Sequence, residues 1–251
     1  MTADLLQHAR HAIFPIAGVV FVATLIRSAF GFGEALVAVP LLSLLIPVSV
    51  AAPLAMLVSV TVAAVVVAQD HAELDVRSAG WLVLFTLPGI PLGLFLLKSV
   101  PEPVVKSVLA CSVIGFALYS LLSTRPRELE SDRLAWLFGF SAGVLGGAYG
   151  MNGPPLVIYG SLRRWDPRRF RATLQGYFLP ASLLGALGYW LAGFWTPVVS
   201  RYYLWSLPGV LVAILLGRLV NRRMTSHRFL RYVNFGLIAT GVVLLIRAAT
   251  A

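Results

Sequence analysis

Residues 51 to 69, AAPLAMLVSVTVAAVVVAQ, run for nineteen positions without a charged side chain. A helix of that length, rising about 1.5 Å per residue, reaches across a hydrocarbon core of about 30 Å. Further apolar segments fall near 11–30, 79–97, 103–122, 134–148, 172–192, 202–217 and 229–246, and each reads as a spanning helix. The pieces 34–46 and 153–162 are too short to cross and read as half-helices or re-entrant segments. With 59% of its 251 residues hydrophobic and only 12% charged, the chain lacks the polar surface a soluble domain needs. The expected fold is an all-α integral membrane protein, one membrane domain over 1–251 with about eight spanning helices plus two short broken or re-entrant helices. Arg10 ahead of the first apolar run resembles the start of a secretory signal, but no small-residue cleavage pattern follows, and the segment is read as a structural helix.

The sequence repeats itself at an offset of about 120 residues. AFGFGEALVAVP begins at Ala29 and AYGMNGPPLVIY at Ala148, while LPGI from Leu87 matches LPGV from Leu207. This divides the chain into repeat 1, about 11–122, a connecting loop, 123–131, and repeat 2, about 132–247. Five apolar segments per repeat is an odd number, so the second repeat is expected to enter the membrane inverted. Loop charge agrees. The 163–171 loop, RRWDPRRFR, holds five arginines and its counterpart near 44–52 holds no charge; Arg218 to Arg231 holds five more, against two lysines in 98–111. Because basic residues accumulate on the cytoplasmic side, 163–171 and 218–231 are placed there and 46–50, 98–103 and 193–201 outside. Both termini then fall on the outer face, with Arg10 and Arg247 pulling mildly the other way.

A net charge of +10 invites a nucleic-acid partner, yet half of the twenty basic residues lie in those two loops between apolar spans. Topology and anionic membrane lipids account for them, and no nucleic-acid partner is expected. Trp81, Trp136, Trp190, Trp195 and Trp205 stand near helix ends, where indole anchors at the interface. Cys111 lies within an apolar span and can form no internal disulfide. His8, His11, His71 and His227 all fall in terminal or loop regions, so no histidine stands at membrane depth to act as a base or to bind a metal. Neither GFG at 31–33 nor GGAYGMNG at 146–153 is followed by the Lys-Ser or Lys-Thr of a phosphate loop. No catalytic residue, metal site or cofactor is expected.

What these glycines do is interrupt helices. A helix that stops and restarts at membrane depth leaves backbone N–H groups unpaired, which is tolerated only where they line a protein cavity or water. The restarting N-terminus is also an anion site, since it carries partial positive charge and points its N–H groups outward. Here a restart occurs once per repeat, at Gly31 to Glu34 and at Gly150 to Pro154, and the two are expected to converge on one central ligand. The structural alternative is close helix packing on small residues, with Pro154 and Pro155 merely opening a helix. Glu34 is the acidic residue within an apolar segment, where an unpaired charge costs at least about 2.5 kcal/mol. Arg27 is its nearest candidate partner, and the repeat counterpart of Arg27 is about Gly146, so this pair is not common to both repeats. One reading has Arg27 contacting the anion while Glu34 carries a proton or holds Arg27. The other has Arg27 snorkelling to the interface and Glu34 capping the helix it begins. The candidate binding set is Arg27, Gly31, Gly33, Glu34, Gly150, Asn152, Gly153, Thr173, Gln175 and Tyr177, with interhelical hydrogen bonding the alternative role for the last four polar side chains.

GFGEALVAVP followed by AAPLAMLVS, and YGMNGPPLVIYGSL followed by RATLQGYFLPAS, resemble the two signature regions of the TauE/SafE sulfite exporter family. The resemblance covers nearly the whole chain, including the Leu-Pro-Gly of each half. It implies a small bacterial inner-membrane permease of two halves that exports sulfite or organosulfonates. The chain departs from the family pattern at Glu34 and Ala35, and at Met151 and Asn152, where glycine is common; Ala172 and Thr173 keep the Ala-Thr of the later helix, whereas Ala52 is followed by Pro53.

The expected function is a secondary transporter moving a small sulfur-containing anion outward, sulfite or an organosulfonate. An inside-negative potential is worth about 2.3 kcal/mol per charge per 100 mV, enough to expel a monoanion down roughly a fifty-fold gradient without a coupling ion. The alternatives are a lipid-linked phosphate or headgroup translocase and, disfavoured by the missing histidine, an intramembrane enzyme.

Overall fold

The computed structural model describes residues 3–69, 75–122, 129, 131–221 and 227–250, and the side chains of these apart from 3–12, 69, 167–168, 220–221 and 227–232. The side chains of His8, His11, His71 and His227 and of the arginines at 222, 223, 228 and 231, and most of the 123–131 connecting loop, lie outside that description.

Among the described residues the chain is helical throughout. The helices are α1 (Ala3–Phe30), α2 (Glu34–Leu42), α3 (Val48–Gln69), α4 (Val76–Thr86), α5 (Gly89–Ser99), α6 (Glu102–Leu122), α7 (Ala135–Tyr149), α8 (Gly153–Leu162), α9 (Pro167–Leu191), α10 (Pro197–Asn221) and α11 (His227–Ala249), with a 3₁₀ turn at Asp132–Leu134. The two short pieces expected from the sequence are present as α2 and α8. The first is shorter than the 34–46 reading, because the chain turns at Ser43 to Ile46 through hydrogen bonds back to Val39, Leu41 and Leu42.

Among the described residues four helical stretches are long and apolar enough to cross a membrane: Ile13–Phe30, Val48–Ala68, Glu102–Leu122 and Pro197–Leu219. The segment read as one span at 79–97 is instead two helices, α4 and α5, bent by 40° at Leu87–Pro88; taken together they are long and apolar enough for a fifth. Proline removes a donor and crowds the preceding turn, which breaks the helix there. The same Leu-Pro-Gly tripeptide in α10 leaves that helix continuous through Pro208. The three remaining readings of a span correspond to α7, only 15 residues long, to α9, which opens on arginines, and to α11, whose shorter apolar part is Val233–Ala249.

Packing follows a simple scheme. Helix α1 lies on α10, α7 lies on the α4–α5 pair, α3 crosses α9, α6 lies on α11, and α2 meets α8. The α5–α7 seam is built from glycine. A Cβ at Gly89 would stand 2.4 Å from the Phe140 carbonyl oxygen, and one at Gly143 would stand 2.3 Å from that of Thr86. Only backbone fits between these helices, the close-approach packing that membrane helices use in place of hydrophobic burial. Large apolar side chains, among them Phe14, Phe95, Leu204 and Leu215, face outward with Trp81, Trp136, Trp190, Trp195 and Trp205. In water such a surface would aggregate, whereas in lipid it is solvated.

Candidate functional site

Both glycine breaks are realised. Helix α1 ends at Phe30, the chain passes through left-handed Gly31 (φ 87°) and Gly33 (φ 97°), and α2 starts at Glu34. Glycine adopts this region without the cost a Cβ incurs. In the second half α7 stops at Tyr149 because Gly150 (φ 63°) turns left-handed and returns its N–H to the Gly146 carbonyl at 2.8 Å. That is the usual role of glycine past a helix end. Helix α8 then begins at Gly153, with prolines in its first turn where a missing N–H is harmless. A Cβ on Gly150 would stand 2.6 Å from the Ala52 carbonyl oxygen, so α3 also presses on this turn.

The two restarts line one buried cavity. Its wall is made by Gly33, Glu34, Ala35 and Leu36 from the start of α2, by Gly150 to Pro154 from the start of α8, and by Arg27, Phe32, Ser59 and Phe178. The cavity measures about 20 Å³, room for about one water-sized body. Ser59 lies midway along α3, which sets the cavity deep in the bundle.

Arg27 organises the polar part. Its Nη1 donates to Glu34 Oε2 at 2.6 Å and to Ser59 Oγ at 2.6 Å, and its Nη2 donates to Gln175 Oε1 at 3.1 Å. The guanidinium carbon sits 4.8 Å from the centre of the Phe178 ring. Gln175 Nε2 in turn donates to the Gly31 carbonyl at 2.6 Å, tying α9 to the first break. Ser59 Oγ shares a hydrogen bond with Ser182 Oγ at 3.0 Å where α3 crosses α9. Arg27 and Glu34 are only 3% and 2% exposed, so Arg27 does not snorkel. No side chain caps α2, and the Glu34 carboxylate is turned to Arg27.

Of the candidate residues, Arg27, Gly33, Glu34, Gly150, Asn152 and Gly153 line the cavity, while Gly31 and Gln175 brace it through the Gln175–Gly31 bond. Thr173 and Tyr177 do not line it. Thr173 Oγ1 accepts from the Asp75 backbone N–H at 3.1 Å. The Tyr177 hydroxyl shares a hydrogen bond with Thr86 Oγ1 at 2.7 Å and lies beside Asn152. Ser59, Ser182 and Phe178 join the site without having been singled out from the sequence. The signal for the serines is present: the two are 123 positions apart, within one helical turn of the repeat offset. The counterpart of Arg27 is also accounted for, since the Asn152 side chain packs over Gly146, 3.3 Å from where a Cβ would be.

A second polar cluster lies at the end of the bundle that carries the arginine-rich loop. Asp75 caps α4, accepting from the Ser78 N–H at 3.1 Å and the Ser78 hydroxyl at 3.0 Å, and Arg169 Nη2 donates to it at 2.6 Å. Burial raises the Asp75 carboxyl, but the Ser78 and Arg169 bonds outweigh it and hold the group below the usual carboxylate range. Asp132 takes bonds from Ser78 Oγ and the Tyr159 hydroxyl and pairs with Arg163 at 3.6 Å. At another site Arg247 Nη1 donates to the Leu44 carbonyl at 3.0 Å. Among the described residues no group of three or more histidine, cysteine or acidic residues is placed to hold a metal.

A helical bundle with an apolar outer surface, closed around a small cavity of helix N-termini and a buried ion pair, is the architecture of a multi-pass membrane protein, and the family to which the chain belongs makes it a transporter and not an enzyme. Residues 16–244 match the sulfite exporter TauE/SafE family, and the chain belongs to it. It is 26% identical over 235 residues to the probable sulfite/organosulfonate exporter TauE of Cupriavidus necator, covering 91% of each chain. No solved structure matches it.

Proposed function

We propose that the chain exports a small sulfur-containing anion, sulfite or an organosulfonate, across the bacterial inner membrane, binding it between the N-termini of α2 and α8 beside Arg27. The observation that carries this reading is that both helix starts, one from each half, open on the same buried cavity as the Arg27 guanidinium. Each start contributes roughly half a positive charge, so the pair suits a single negative charge. The similar protein from Cupriavidus necator is named for sulfite and organosulfonate export, which supports the substrate class.

The helix-packing scheme supports two inverted halves, α1–α6 and α7–α11. Exchanging the halves carries the α1–α10 contact onto the contact of α7 with α4–α5, and leaves α3–α9, α6–α11 and α2–α8 as self-exchanging pairs. That is the pattern a pseudo-twofold axis relating the two halves produces, and the loop charges favour an axis in the membrane plane. In this reading α7, α9 and α11 also lie in the membrane, each half crosses an odd number of times so that the second is inverted, and the arginine-rich loops face the cytoplasm with both termini and Pro101 outside. Efflux of sulfite, methanesulfonate and sulfoacetate from loaded proteoliposomes tests the proposal. Retention of all three, with movement of a fluorescent isoprenoid phosphate, reverses it.

A further inference from the structure

The residues lining the cavity leave three buried polar atoms without a hydrogen-bond partner: Arg27 Nε, Asn152 Nδ2 and Glu34 Oε1. The first two are donors. The third belongs to a carboxylate whose other oxygen is already held by Arg27, and an ionised oxygen there can only accept. Arg27 and Glu34 cancel each other's charge, and the two helix N-termini together contribute roughly one positive charge. An anion that enters therefore meets donors on one side and a carboxylate oxygen on the other. An aprotic anion presents only lone pairs to that oxygen, so both groups stay unpaired in a site with little water, a costly outcome. An anion that keeps one acidic O–H donates it to Glu34 Oε1 while its remaining oxygens accept from Arg27, Asn152 and the helix starts.

We infer that the site selects a monoanionic oxyanion that still carries one O–H, hydrogen sulfite being the sulfur example, over aprotic sulfonates of the same shape and charge. The inference rests on the anion-transport reading and deepens it, because it separates the two substrate classes that reading leaves together. Around Glu34, α1 supplies Arg27, α3 Ser59, α8 Asn152 and α9 Gln175, and Arg171 of α9 lies against Gly31. No second carboxylate lines the cavity among the described residues, so the accepting role falls to Glu34.

The test uses two pairs of probes on the full chain at mildly acidic pH. Methylphosphonate monoanion and methanesulfonate have nearly the same shape and the same charge and differ by phosphorus in place of sulfur and by one O–H; hydrogen sulfite and methanesulfonate form the second pair. Binding is read as ligand-dependent thermal stabilisation in detergent, and transport as competition for efflux from proteoliposomes. The protonated member of each pair is expected to bind about tenfold or more tightly, as sites built to hydrogen-bond a hydroxyl reject analogues lacking it. In Glu34→Gln, whose amide can also donate, the preference should collapse toward unity. If that variant does not fold, the double variant Arg27→Gln with Glu34→Gln, which leaves no buried charge, serves for the same comparison. Equal affinities in the unaltered protein, or full preference retained in a folded variant lacking the carboxylate, overturn the inference. Selective binding without efflux supports the ligand class and defeats the exporter reading. Efflux of both probes alike does the reverse, and neither binding nor efflux defeats both.

Discussion

Arg27 and Glu34 are seven positions apart, yet their side chains meet at 2.6 Å. On a continuous helix seven positions amount to about 10.5 Å of rise, too far for such a close bond. The left-handed turn through Gly31 and Gly33 brings them together, so break and ion pair are one construction. Removing either partner should therefore cost more than an exposed pair would. We expect Arg27→Gln and Glu34→Gln each to lower stability by about 3 to 5 kcal/mol, because each leaves a buried charge uncompensated. The double variant should lose less than the sum of the two. Thermal melts of all four proteins in one detergent, arranged as a double-mutant cycle, measure the coupling; additive losses would show that the pair is not a unit.

Glycine positions should separate into two groups on substitution by alanine. Gly150→Ala combines left-handed strain with a contact of 2.6 Å to the Ala52 carbonyl, and Gly143→Ala forces α7 away from α4 and α5. Losses of about 1 to 3 kcal/mol are expected for each. A Cβ on Gly18 or Gly115 meets nothing within 4 Å, and those substitutions should be neutral or slightly stabilising. Equal melting temperatures across the four variants would contradict the packing described.

The Asp75 cap predicts an acid-dependent loss of stability. Its carboxyl sits below the usual range when folded, so its contribution is complete above the ordinary carboxylate pKa and fades as pH falls through the lowered folded value. Asp75→Asn should thus melt lower than the parent at neutral pH, by about 1 kcal/mol, with the gap closing below about pH 4. Arg169 is half exposed, so Arg169→Ala should change little on its own. A constant gap between Asp75→Asn and the parent across that range would exclude the carboxylate as the cause.

The sidedness of the arginine-rich loop can be read directly. With Cys111→Ser as background, Asp166→Cys should resist an impermeant thiol reagent added to intact cells, and Pro101→Cys should react. Labelling of both from outside would overturn the inverted arrangement of the halves.

The glycine breaks were legible in the sequence because the residues that end a helix, Gly31, Gly33 and Gly150, do so through their own backbone freedom. The two short helices followed from the same local chemistry, which left open whether Arg27 pairs with Glu34 or snorkels. The bend between α4 and α5 was not legible, since Leu-Pro-Gly stands in α10 as well and the helix is continuous there. Thr173 and Tyr177 carry the same functional groups as residues that do line the cavity, and only the rotation of α9 turns Gln175 inward and Thr173 toward Asp75. Ser59 was hidden inside an apolar run whose hydropathy says nothing about which face is inward.

Helix α5 turns Gly89 and Gly93 toward α7 and leaves Leu92 and Phe95, 41% and 63% exposed, on its outer side. Its glycine contact with α7 thus freezes no rotamers, where every buried leucine would cost roughly 0.5 to 1 kcal/mol of side-chain entropy, and Ile90 and Leu97 are the side chains this helix buries. The bulky residues keep their rotamer freedom in fluid acyl chains. The arrangement is that of a soluble helix turned inside out, and it makes the surrounding amphiphile part of the folded state: detergent stripped from this helix removes the solvent for its largest side chains, while the glycine face offers too little apolar surface to hold the pair together in water.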